Sequence, residues 1–82
     1  MALSARDLHI IDRVKLELVS ARSKFPDFNS AHEGKAVIEE EMDELWQEVK
    51  HGEMRQAREE AIQVAAMAVR FVSDLADDER RG

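Results

Sequence analysis

The stretch VIEEEMDELW, residues 37–46, carries five carboxylates (Glu39, Glu40, Glu41, Asp43 and Glu44) among apolar residues at helical spacing. Two chemistries fit such a run. Acids on one side of a surface helix simply face water. Acids that meet a second set across a helix pair hold a divalent cation. Helical phase separates the five. At 100° per residue, Glu41 sits about 40° from both Val37 and Leu45, inside the edge of the apolar stripe. Glu44 lies about 60° further toward the polar side and still converges with Glu41. Glu39 and Asp43 point away toward solvent, and Glu40 is intermediate.

A second set follows a short turn at Gly52, which makes the flanking helices antiparallel. Residues equally far from that turn lie level. Glu44 is eight residues before Gly52 and Glu60 eight after it; Glu41 is eleven before and Gln63 eleven after. Two i, i+3 pairs therefore face each other, roughly 12 to 17 Å along the axes from the turn. Three carboxylates and a carboxamide beside an apolar core repel one another unless a cation neutralises them. All-oxygen donors suit a hard ion, Mg²⁺ or Mn²⁺. Mg²⁺ keeps positions open for water and phosphate oxygens, so a pyrophosphate-bearing substrate is the natural guest.

The elements that must hold these residues are helices throughout, since one proline and three glycines break 82 residues. Ser4 caps a first helix over about 4–24, with Asp7 in its first turn, and Phe25-Pro26 ends it. Ser30 and Glu33 fit a capping box opening a second helix over about 31–50. Its apolar stripe is Val37, Ile38, Met42, Leu45 and Val49. A third helix spans about 54–77, before a fraying tail, DDERRG. Its apolar face reads Ala57, Ala61, Val64, Ala65, Ala68, Phe71, Val72 and Leu75, with Ile62 and Val69 roughly opposite. That arc is wider than one partner helix covers. The expected fold is an all-α antiparallel bundle, residues 1–82 as a single domain of three helices per chain, completed by oligomerisation.

Composition narrows the function. The formal charge of -6 argues against binding a nucleic-acid polymer or an anionic membrane. No apolar run approaches a membrane span, and the start has no signal-peptide core, which points to a cytoplasmic protein. No cysteine is present, and the three histidines have no zinc spacing.

EEMDE, Glu40 to Glu44, resembles the E-E-x-x-E motif of the MazG-type all-α nucleoside triphosphate pyrophosphohydrolases. EEAIQ, Glu59 to Gln63, falls where that family has its second motif, E-x-x-D. The likeness covers roughly residues 25–75. It implies Mg²⁺-dependent cleavage of nucleoside triphosphates (NTP or dNTP) to monophosphate and pyrophosphate. It also implies an oligomer whose active sites are built with help from neighbouring subunits. It makes Glu41, Glu44 and Glu60 metal ligands, with Gln63 where the family has aspartate. A glutamine carbonyl can ligate Mg²⁺ but adds no charge and cannot act as a base. Glu40 or Glu44 would then activate the attacking water.

Other residues carry two readings each. His32 and Lys35, near the start of the second helix, either meet substrate phosphates or face solvent. Arg70 either reaches a triphosphate or pairs with Asp74. Trp46 stacks on a base or packs in the core or an interface. Met42 and Met67 read as core filler. Phe25 and Phe28 either form a base pocket or plug the end of the bundle. Besides the hydrolase, two functions fit the scaffold: a non-catalytic helical interaction module, and a regulatory subunit that binds nucleotide without cleaving it.

Overall fold

In a computed structural model of the chain, which describes residues 2–77, serine chemistry starts two of the helices. Ser4 accepts from the Asp7 N–H and Asp7 accepts from the Ser4 N–H, both at 3.0 Å, a full capping box opening α1 (Ala5–Lys24). Ser30 accepts from the Glu33 N–H at 3.1 Å and opens α2 (Ala31–Lys50). Here the box is only half made, because the Glu33 carboxylate accepts from Asn29 rather than from Ser30. Gly52 takes φ 72° in the turn, a backbone that costs glycine nothing, and α3 (Met54–Asp74) follows at once. The described residues contain no strand, and none of their helices is long and apolar enough to cross a membrane.

α3 is the middle helix. It packs on α2 and on α1, while α1 and α2 stay apart. The ion pairs Arg13–Glu59 and Arg22–Asp74 run in the same order along α1 and α3, so these two helices are parallel and α2 is antiparallel to both. The core gathers Ala21, Phe28, Ala66 and Met67, with Val14, Leu18, Val37, Ile38, Phe71 and Leu75 against it.

The buried face of α3 differs from its expected apolar face. Ala57 is buried, but Ala61, Ala68 and Val72 are exposed, and Ile62, Ala66, Met67 and Arg70 are buried instead. The physical reason is size: a buried side chain stabilises in proportion to the apolar area it removes from water, and Met67 and Ile62 outweigh alanines. Met42, expected in the core, is exposed for the same rotation of the seam, and Trp46 is 56 % exposed. α3 also ends at Asp74, three residues before the expected limit. The expected fraying of the tail falls, past Asp77, outside the described residues.

Gly34 of α2 is buried against side chains of α3 and the interhelical loop. A Cβ added there would lie 2.6 Å from Cδ2 of the Phe71 ring and 3.2 Å from Cδ2 of Phe28. Gly34→Ala gains about 1 kcal/mol of helix propensity. It forces two rings to move, and overpacking of this kind costs about 1–3 kcal/mol. A net loss of about 1 kcal/mol is expected in urea unfolding; a stabilised variant would show that the Phe71 ring swings out freely.

Candidate metal centre

The hairpin brings its acids into register. Glu41 and Glu44 of α2 and Glu60 of α3 each offer a carboxylate oxygen, and the three oxygens lie within 4.8 Å of one another. The level rule holds at the other end too, where Gly34, eighteen residues before Gly52, meets Phe71, nineteen after it. Glu59, next to Glu60 in sequence, is turned away: both its oxygens accept from Arg13 Nη2 at 2.6 Å. That pair fixes which glutamate of the Glu59-Glu60 doublet faces α2.

The three acids strain against one another. Burial, then the hydrogen bond and charge of Glu41, push the Glu60 carboxyl up to about 7. Glu44 is also raised, by desolvation first and then by Glu60, Glu40 and Glu48. Glu60 Oε2 is buried and has no hydrogen-bond partner. A buried, unpartnered oxygen on a carboxylate that meets two others is an arrangement a cation relieves. The donor set is all oxygen, which fits Mg²⁺ or Mn²⁺.

Beside the triad a cleft of about 570 Å³ opens between α1 and α2. Glu40, Glu41 and Gln63 line it next to the triad; Phe25, Pro26, Phe28, Met67 and Arg70 line it toward the interhelical loop. The cleft is therefore acidic at one end and apolar at the other. Of the two phenylalanines, Phe28 is buried in the core and plugs the bundle, whereas Phe25 stays exposed at the cleft.

Arg70 lines this cleft but is only 4 % exposed. Its Nη2 donates to the Pro26 carbonyl at 3.0 Å, Nη1 lies 3.3 Å from Met67 Sδ, and its guanidinium sits 4.1 Å from the Phe28 ring centroid. These contacts fasten the 25–28 loop to α3. The expected Arg70–Asp74 pair is long, 3.9 Å, and Asp74 binds Arg22 more closely, at 2.5 Å.

His32 and Lys35 are not with the triad. They line a separate groove of about 440 Å³ on the opposite side of the α2–α3 seam, with Ile38, Glu39 and Phe71. Lys35 is ion-paired there with Glu39 at 2.5 Å. Lys35 lies about 120° from Glu41 around α2, so the two cannot serve one small ligand.

A further acid, outside the two facing pairs, bears on the triad. Glu48 adds its charge to both Glu44 and Glu60 and lines a shallow hollow with Glu60, Arg55 and Gln56. Its spacing was readable: it follows Glu44 by four residues and Glu41 by seven, on the same stripe.

Comparison with family models, with curated proteins and with solved structures finds no match to this chain.

Proposed function

We propose that the chain is a Mg²⁺-dependent nucleotide pyrophosphohydrolase of the MazG type, acting on a nucleoside triphosphate. One observation carries this reading: the meeting of Glu41, Glu44 and Glu60 on adjoining antiparallel helices, beside a cleft large enough for a nucleotide. Glu41, Glu44 and Glu60 would hold the metal, with the Gln63 carbonyl at the edge of the same site. Bound there, the cation offsets negative charge on the phosphates and on the developing transition state. The apolar end of the cleft, beside Phe25, takes the base. Glu40 lines the cleft and is not one of the three converging acids, so it accepts the proton of the attacking water while Glu44 serves as ligand. Water adds at the α-phosphorus, the bond to the bridging oxygen breaks, and pyrophosphate leaves. The oligomeric state that the resemblance implies belongs to the same reading.

Gln63 favours a second reading, a nucleotide-binding regulatory or interaction module with little or no turnover. It leaves the centre one negative charge short of the E-x-x-D pattern. Gln63→Asp separates the two. On the hydrolase reading it tightens Mn²⁺ binding by about tenfold, as one more charged ligand is worth on the order of 1–2 kcal/mol, and raises pyrophosphate release. Wild-type protein that shows neither pyrophosphate release from a nucleotide panel nor Mn²⁺ binding by calorimetry leaves only the interaction module. Nucleotide-dependent thermal stabilisation without turnover selects the regulatory subunit.

A further inference from the structure

One acid of the cleft has no partner and no part in the hydrolase reading. Glu17 of α1 is half-buried in the cleft wall. It joins no ion pair among the described residues. Arg13, four residues before it, is held by Glu59. The other acids lining the cleft are engaged. Glu33 accepts from the Asn29 N–H and from Asn29 Nδ2, each at 3.2 Å. Glu41 belongs to the triad, and Glu40 takes the proton of the attacking water. A free carboxylate repels phosphates, so the group that meets Glu17 must be a neutral donor.

Height along the helices says which group that is. The pairs Arg13–Glu59 and Arg22–Asp74 set α1 level with α3 at offsets of 46 and 52 residues. Glu17 is therefore level with residues 63–69, between Gln63 at the acidic end and Arg70 at the loop end. At 1.5 Å per residue this is roughly 5 to 13 Å beyond Glu60. Ser20, on the next turn of α1, is half-buried in the same wall. With the phosphates on the triad's cation, as the hydrolase reading on which this rests requires, and the base beside Phe25, the sugar lies against this middle stretch.

We propose that Glu17 reads the sugar of the substrate. Its carboxylate accepts from the 2′- and 3′-hydroxyls of a ribonucleotide, and the site thereby selects ribonucleoside over 2′-deoxyribonucleoside triphosphates. A carboxylate offers acceptors only, on two oxygens, and the vicinal hydroxyls of ribose are two adjacent neutral donors. A sugar without the 2′-hydroxyl covers the carboxylate and leaves one oxygen without a donor, a loss that discriminates strongly at a site built to hydrogen-bond. Amino groups of the base do not compete for Glu17, because the loop end of the cleft carries the cations Lys24 and Arg70.

Calorimetry on the full chain tests this, with Mn²⁺ present and α,β-methylene triphosphates of each common base in ribo and 2′-deoxy forms. Ribo forms are expected to bind about tenfold more tightly than their 2′-deoxy counterparts, the effect of one hydrogen bond to a charged group. Glu17→Ala should abolish the preference by weakening the ribo forms alone. Glu17→Gln, which keeps one acceptor oxygen, should retain part of it. Helicity by far-UV circular dichroism and Mn²⁺ binding without nucleotide should be unchanged in both variants. Equal binding of the two sugars by the wild type, or a preference that survives Glu17→Ala, overturns the proposal and leaves the hydrolase reading standing. Failure of every analogue to bind removes both.

Discussion

Glu60→Gln is expected to stabilise the metal-free protein at pH 8 while removing its affinity for Mn²⁺. Both effects come from one carboxyl. In the folded chain Glu60 titrates near 7, against 4.5 for the ordinary group. Between those values the folded state holds a proton that the unfolded state has lost, so stability falls as pH rises. The favourable contribution is fully present below about pH 4.5 and gone once pH passes about 7. At roughly 1.4 kcal/mol for each pH unit the whole interval is worth about 3 kcal/mol; partial exposure of the site brings this to about 1–2 kcal/mol. An uncharged glutamine keeps most of the shape and removes the repulsion with Glu41 and Glu44. A bound cation reverses the account, since it needs the carboxylate and displaces the shared proton. Mn²⁺ affinity should therefore climb with pH through about 7, with proton release visible as a buffer-dependent heat in calorimetry. Denaturant unfolding at pH 5 and pH 8, with and without Mn²⁺, checks the sign. A metal-free protein that is equally stable at both pH values would show that these acids do not press on one another.

The parts of this site that were readable beforehand obey short-range arithmetic. A single glycine turn sets the hairpin, so counting outward from Gly52 puts Glu44 opposite Glu60, and the i, i+3 phase brings in Glu41. Serine caps at Ser4 and Ser30 are local as well. The phase of α3 was not readable, because alanine counts as apolar in any pattern yet contributes little when buried. The helix turned its larger residues, Ile62 and Met67, inward and left Ala61 and Ala68 outside. Nearness to a helix start fixes the height of His32 and Lys35 along the axis but not their direction around it; direction puts them in the other groove. Arg13 and Glu59 are 46 residues apart, as are Phe28 and Asp74, and no periodicity reports such contacts.

Replacing Asp74 by alanine should be the most damaging single change in the chain. Its side chain is 1 % exposed and has three cationic or N–H partners. It accepts from the Phe28 N–H at 3.0 Å, binds Arg22 Nη1 at 2.5 Å and faces Arg70 Nε at 3.9 Å. Burial alone would raise its carboxyl; the Phe28 N–H and the two guanidinium groups outweigh this and hold it below the usual carboxylate range. Asp74→Ala leaves Arg70 buried with no counter-charge and the Phe28 N–H without an acceptor, a loss of about 3–5 kcal/mol. A domain of this size has a total stability of roughly 4–12 kcal/mol, so the variant should be largely unfolded at moderate temperature. Arg13→Ala is the control. It removes an ion pair of similar length, Arg13–Glu59 at 2.6 Å, but one open to water, and should cost about 1 kcal/mol or less. Asp74 also dictates acid behaviour. Because its folded carboxyl titrates below the ordinary 3.8, its contribution is intact above that value and disappears as pH falls through the folded one. Unfolding in acid should follow protonation of Asp74, with Phe28 and the 25–28 loop released at the same step and the cleft losing its apolar wall. Urea midpoints for the two variants, read by circular dichroism at pH 7 and in acid, decide the matter. If Asp74→Ala costs no more than Arg13→Ala, the loop is held by the packing of Phe28 alone, and the buried ion cluster contributes nothing to keeping the cleft in shape.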